Sequence, residues 1–282
     1  AMTTLSFWYV WRVMRGGTFV KAFTLLLAVI VSNIYWAARP YMVTFLFTSV
    51  YIFILENFRR RQIAGQARRL LWLPLLMLIW VNSHGGFAVG FILIGIYVAG
   101  ELVSLLDRYI IHQQVLSASD LQRLGVFVAV GALMVFAACL NPSGVEMLTY
   151  PFKTISIGAL REYIQEWQSP DFHSNAAQPF LWLLILLIGI IGVSPVRLDF
   201  SDFLLLAVFL SMALTAWRNV ALFALIAPIM IAPRLTPLTK TLGERFGFHG
   251  ADEQPQRTLA GIYWFLLLVV ALIAGIKIYA QC

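Results

Sequence analysis

The chain has 282 residues, 61% of them hydrophobic and only 12% charged, where a soluble domain carries roughly a quarter charged residues. Apolar runs of membrane-spanning length recur from end to end, which excludes a separate soluble domain and leaves residues 1–282 as a single transmembrane domain. The net charge of +7 does not mark a nucleic-acid binder, because the basic residues flank apolar segments, where they set topology.

The opening residues, Ala1-Met2-Thr3-Thr4-Leu5-Ser6, lack the basic region and small-residue cleavage site of a secretory signal, and Ala1 ahead of Met2 suggests a processed end or a fragment. Residues 5–14 are aromatic and are expected to lie at the membrane interface. Nine apolar segments follow: 19–38, 41–58, 70–81, 87–106, 124–140, 180–193, 203–216, 220–232 and 259–279. Their runs are continuous rather than alternating, which disfavours a β-barrel. Backbone groups inside lipid must pair within the segment. The expected fold class is therefore all-α, a polytopic helix bundle.

Segments 70–81 and 203–216 are short. About 13 residues rise only ~20 Å against a ~30 Å hydrocarbon core. Each precedes a partner that returns to the same side, so two short helical hairpins are predicted, as short spans or re-entrant pairs. The loop 141–179 contains Ile157, Leu160, Ile164 and Trp167 at helical spacing, which predicts an amphipathic helix on the outer leaflet. Residues 234–258 are expected to form a cytoplasmic loop. With the N-terminus inside, fifteen of the twenty Lys and Arg residues fall on the cytoplasmic side, so the C-terminus is expected outside.

Chemistry is then expected at the outer helix ends. Arg39 precedes Pro40, His84 precedes Gly85-Gly86, and Arg218 precedes Asn219; ionisable groups at such junctions are functional candidates. Two guanidinium groups and a histidine can hold a phosphate or pyrophosphate, and Gly85 and Gly86 would admit a ligand close to the backbone. Snorkelling to headgroups is the competing reading for Arg39, and a helix–helix hydrogen bond the competing reading for His84. Glu162, Glu166, Asp171 and His173 form a second polar set, a weak candidate for a divalent cation or a general base, set against a simple solvated face. Trp167 reads as an interface anchor. Asn82 and Asn219 lie in the two hairpin turns, where a transporter would place its binding site. Cys139 and Cys282 offer neither disulfide nor zinc spacing, and no metal site is expected. Phosphate-binding glycine loops, mid-helix acids and paired intramembrane histidines are missing, which disfavours an ATPase, an ion pump and a di-haem protein.

A set of strings runs through the chain: Arg39-Pro40, Leu73-Pro74, Trp80-Val81-Asn82-Ser83-His84-Gly85-Gly86-Phe87, Asn141-Pro142-Ser143-Gly144, Glu166-Trp167-Gln168-Ser169-Pro170-Asp171-Phe172 and Trp217-Arg218-Asn219. Over residues 35–233 their order resembles a group of uncharacterised bacterial membrane proteins, themselves similar to GT-C-type glycosyltransferases that use polyprenyl-phosphate sugars. The resemblance implies a bacterial inner-membrane protein with an extracytoplasmic site, in which Arg39 and Arg218 hold the lipid phosphate, His84 orients it, and Glu166 or Asp171 contacts the acceptor. GT-C enzymes carry a catalytic acid in their first outside loop. Here that loop is Ala38-Arg39-Pro40 and holds none. An N-terminal portion is then absent, or the chain is a non-catalytic relative, or a partner chain supplies the acid. Two other readings stand beside this one: an accessory subunit bound to a protein partner within a larger membrane complex, and a transporter in which Asn82 and Asn219 approach each other.

Overall fold

The computed structural model describes residues 1–60 and 67–245, together with residues 268, 269, 271 and 272. Every regular element among the described residues is helical. In chain order they are α1 Met2–Val13, α2 Thr18–Ser32, α3 Tyr41–Arg60, α4 Ala67–Leu70, α5 Trp72–Val81, α6 Ala88–Leu106, α7 Ala118–Cys139, α8 Tyr150–Ile155, α9 Gly158–Tyr163, α10 Gln178–Val193, α11 Phe200–Thr215 and α12 Val220–Arg245.

Five stretches are long and apolar enough to cross a membrane: Thr18–Tyr35, Tyr41–Arg60, Gly85–Ile111, Ala118–Cys139 and Trp217–Thr241. Gln178–Val193 and Phe200–Thr215 are apolar but shorter. The chain is thus a helical membrane bundle. The ninth predicted segment, 259–279, falls almost wholly outside the described residues.

Local sequence explains several boundaries. Ser117 and Asp120 close a reciprocal capping box at the start of α7. Asp199 caps α11 by accepting from the Asp202 N–H at 2.8 Å. Pro179 sits in the first turn of α10, where its missing N–H costs nothing.

The bundle departs from the sequence reading in four places. First, α1 packs along α3, with Phe7 and Val10 fully buried, so its aromatic face meets protein. Second, the two hairpins differ from each other. α11 packs on α12, whereas α5 packs chiefly on α7, and α6 packs on α11 and α7. Third, the loop after α7 holds no continuous amphipathic helix. Ile157 and Ile164 are both extended, and between them α9 spans only six residues. Glu162 and Glu166 therefore do not share a helix face. Fourth, Arg234 is no loop residue. It lies inside α12, which runs unbroken to Arg245 through Pro228, Pro233 and Pro237. Around these prolines side chains also bond the helix backbone: Thr236 Oγ1 donates to the Ala232 carbonyl and Arg234 to that of Met230, both at 2.8 Å.

α12 is the centre of the molecule. Residues 220–232, Pro228 included, are all buried, and α2, α10 and α11 surround them. Lipid is as apolar as leucine, so these contacts are held by close packing rather than by expulsion of water. Small residues make that packing possible. A Cβ on Gly100 of α6 would lie 2.9 Å from the Ser201 Cα of α11, so only glycine permits this approach.

One end of the bundle is tied by charges. Glu56 is completely buried. Its carboxylate accepts from the Tyr97 hydroxyl at 2.6 Å, meets Arg59 at 3.0 Å and pairs with the Arg60 Nε. Arg59 continues to Asp199 at 2.5 Å and Asp202 at 2.6 Å. Asp202 also holds Arg234, 1% exposed, at 2.9 Å. Beside them Arg123 donates twice to Glu101, at 2.7 and 2.9 Å.

Removing one partner of a buried pair strands the other charge. Asp202→Ala leaves Arg234 with no carboxylate and is expected to destabilise the protein by about 3–5 kcal/mol. Denaturant unfolding in detergent micelles measures this; a loss under about 1 kcal/mol, the scale of an exposed pair, would mean that water reaches Arg234.

Candidate functional site

The opposite end carries the residues singled out in the sequence. Tyr41 and Arg59 are eighteen residues apart on α3, roughly 27 Å of helix rise. Three junctions meet at the Tyr41 end. Arg39-Pro40 leads into α3. The turn after α5 puts His84 in an extended conformation before the 3-10 turn Gly85–Phe87. The turn after α11 puts Ala216 in an extended conformation before the 3-10 turn Trp217–Asn219. The loop 141–179 lies across the last of these, and the Trp217 N–H donates to the Gln168 carbonyl at 2.8 Å.

That contact builds the site. It sets the Trp167 ring against Arg218, whose guanidinium stands 4.6 Å from the ring centre and 5.6 Å from that of Tyr41. The Tyr41 hydroxyl donates to the Arg218 carbonyl at 2.7 Å, so ring and backbone hold the same residue. Arg218 makes no ion pair among the described residues. Glu166, next to Trp167, pairs with Arg39 at 2.6 Å, with both side chains well exposed. Such a pair contributes little to stability and exchanges readily. Two guanidinium groups thus face one carboxylate, and the junction carries an excess positive charge. Trp167 serves as a platform for Arg218.

His84 is fixed by its neighbours. The Trp80 Nε1 donates to the Thr44 hydroxyl oxygen at 3.1 Å, and the Gly86 N–H donates to His84 Nδ1 at 3.1 Å. Nδ1 is therefore unprotonated, the Thr44 hydroxyl donates to it at 2.7 Å, and the ring proton resides on Nε2. Burial first, and the Arg218 charge second, hold the His84 pKa below its ordinary value. The ring is thus a neutral donor beside a cation. The two glycines do not open a ligand channel. A Cβ on Gly85 would lie 2.6 Å from the Tyr150 ring, and one on Gly86 would lie 2.8 Å from His84 Nδ1 while pressing on the Thr44 hydroxyl. The space beside them belongs to the protein.

The remaining candidates disperse. Asn82 accepts from the Asn141 amide of the loop after α7 at 3.0 Å, while Asn219 donates to the Met212 carbonyl of α11 at 3.1 Å. Asp171 accepts from the His173 N–H at 2.9 Å and meets its ring at 3.2 Å, an exposed local turn whose hydrogen bonds lower the Asp171 pKa. Glu162 is exposed and contributes only its carbonyl, which accepts from Gln168. Among the described residues no three His, Cys, Asp or Glu side chains gather as a metal-ligand group. Tyr41 and Thr44 were missed in the sequence. One signal was available: both occupy the first turn of the helix that Arg39-Pro40 begins.

No family model matches the chain, and neither a curated protein nor a solved structure does so.

A depressed histidine pKa has a signed consequence. Above the unfolded value of about 6.5 His84 is neutral in both states, and no stability is lost. Below it the unfolded chain takes up a proton that the folded ring refuses until its own lower pKa, so stability falls. His84→Gln keeps an acceptor and does not titrate. The wild-type melting temperature should drop relative to this variant as pH falls below about 6.5; parallel curves would show that the ring is not buried against Arg218 as described.

Proposed function

We propose that this protein binds a phosphate-bearing, lipid-linked sugar at the Arg39–Glu166–Arg218 junction, as a GT-C-like glycosyl-transferring protein of the bacterial inner membrane. One observation carries the reading: Arg218 is clamped between two aromatic faces and by its own carbonyl, yet keeps its charge without a carboxylate. An arginine fixed in this way loses little freedom when an anion arrives, which is what preorganised recognition of phosphate requires. The resemblance of the strings around Arg39, His84, Glu166 and Arg218 supports the same assignment. So does the distribution of Lys and Arg, from which a cytoplasmic N-terminus and an outside position for this junction are expected.

In this reading the phosphate bridges Arg218 and Arg39 and displaces Glu166 from its exposed ion pair. The His84 Nε2–H is a further donor on the same side. The released Glu166 carboxylate then accepts the proton of an acceptor hydroxyl as that oxygen bonds the sugar. The bond between sugar and phosphate breaks, and the lipid phosphate leaves on the two arginines.

A hydrogen-bonded charge pair of this kind contributes about 1.5–3 kcal/mol. Arg218→Ala is therefore expected to weaken polyprenyl-phosphate binding by roughly ten- to a hundredfold, read by mass spectrometry of the intact protein in nanodiscs. Arg218→Lys should recover only part, since it lacks the planar fork. Unchanged binding in Arg218→Ala would place the site elsewhere.

A further inference from the structure

A cavity lies at the other end of the bundle, where the sequence drew attention only to topology. Its volume is about 340 Å³, within the range of small-molecule sites. Arg15, Arg59, Arg60, Arg123, Arg197 and Arg234 all line it. The carboxylates around them are fewer. Glu56 is used by Arg59 and Arg60, Asp199 by Arg59, Asp202 by Arg59 and Arg234, and Glu101 by Arg123. Six guanidinium groups thus meet four carboxylates, an excess of two positive charges. Among the described residues, Arg15 and Arg197 are the two lining arginines without an ion pair.

The inner arginines are held by their neighbours: Arg59 donates to Glu56, Asp199 and Asp202, and Arg234 to the Met230 carbonyl and Asp202. The 16-residue helix α11 also presents its first residues, Phe200, Ser201 and Asp202, to the cavity, adding the positive end of its dipole.

We propose that this arginine-lined cavity binds a phosphate-bearing dianion, at a site separate from the Arg218 junction. The cavity already has its framework, since Glu56, Glu101 and Asp202 hold the inner arginines in place. The two unpaired charges at Arg15 and Arg197 match the two negative charges of a phosphate monoester. Arginine suits this task through its planar donor fork. The cavity lies near the ends of α3 and α6 and the start of α11, so the phosphate can belong to a soluble molecule or to a lipid headgroup.

The test uses the full chain. Inorganic phosphate is titrated calorimetrically into the detergent-solubilised protein. Phosphatidic acid is offered separately in nanodiscs of otherwise zwitterionic lipid and read by intact-complex mass spectrometry. Binding of phosphate itself identifies a soluble ligand class, and binding of phosphatidic acid alone identifies a headgroup; either supports the proposal. The double variant Arg15→Gln/Arg197→Gln should weaken that binding by roughly tenfold or more. Both residues are exposed and outside the ion-pair network, so the fold is retained. Arg15→Lys/Arg197→Lys should recover only part of the affinity, since lysine keeps the charge but lacks the planar fork. Binding of neither probe, or wild-type affinity in the Gln double variant, overturns the proposal.

Discussion

Glu56 sets the condition that the rest of the bundle meets. A carboxylate with no solvent exposure, on a helix that spans the bilayer, is tolerated only if paired and hydrogen-bonded. The partners come from two directions. Arg59 and Arg60 lie one turn further along α3, and the Tyr97 hydroxyl reaches across from α6. Arg59 then needs its own excess charge balanced, which Asp199 and Asp202 supply from the start of α11. Asp202 in turn fixes Arg234 in the middle of α12. Satisfying one buried charge therefore sets the relative positions of four helices, a degree of specification that apolar contacts between helices in lipid do not provide.

The other end is built differently. No buried ion pair organises the Arg218 junction; aromatic rings and backbone hydrogen bonds do. The hydroxyl of Tyr41 and the carbonyl of Gln168 each hold one residue of the Trp217–Asn219 turn. Rings meet the guanidinium with their faces, so its charge is stabilised without being neutralised. Where Glu56 consumes the charges of its arginines, Tyr41 and Trp167 leave that of Arg218 in place. The contrast between the ends lies less in which residues are present than in which partner each arginine is given.

Sequence patterns carried the all-helical bundle because apolar runs of spanning length admit few alternatives. They also brought out Arg39, His84, Glu166 and Arg218, since a charged or titratable residue at a helix junction is conspicuous against an apolar background. They failed where three-dimensional context overrode periodicity. Ile157, Leu160 and Ile164 have helical spacing, but the backbone at Ile157 and Ile164 is extended, and spacing alone does not register such breaks. Arg234 reads as a loop residue because the apolar run ends at Ala232. Yet a centrally packed helix accommodates Pro233 and Pro237, and the ion pair with Asp202 accommodates the charge. The arginine-rich cavity was hidden for a related reason. Its six arginines come from α3, α7, α12 and two connecting segments, and along the chain they register only as topology signals.

α3 and α12 run between the two ends. α3 carries Tyr41 and Thr44 at one end and Glu56 and Arg59 at the other. α12 begins directly after Arg218 and holds Arg234 sixteen residues further on, roughly 24 Å of helix rise. Pro228 lies between those two arginines, and a proline frees its helix to bend by removing a backbone hydrogen bond. A bend of only a few degrees acting over that length would shift the Arg218 turn relative to the Tyr41 ring by an ångström or more. Two clamps oppose this. The Asp202–Arg234 pair fixes α12 to α11 on one side of Pro228, and the Tyr41 hydroxyl fixes the turn before α12 to α3 on the other. The two clamps thus bracket Pro228, one on either side, and both are made by the protein alone.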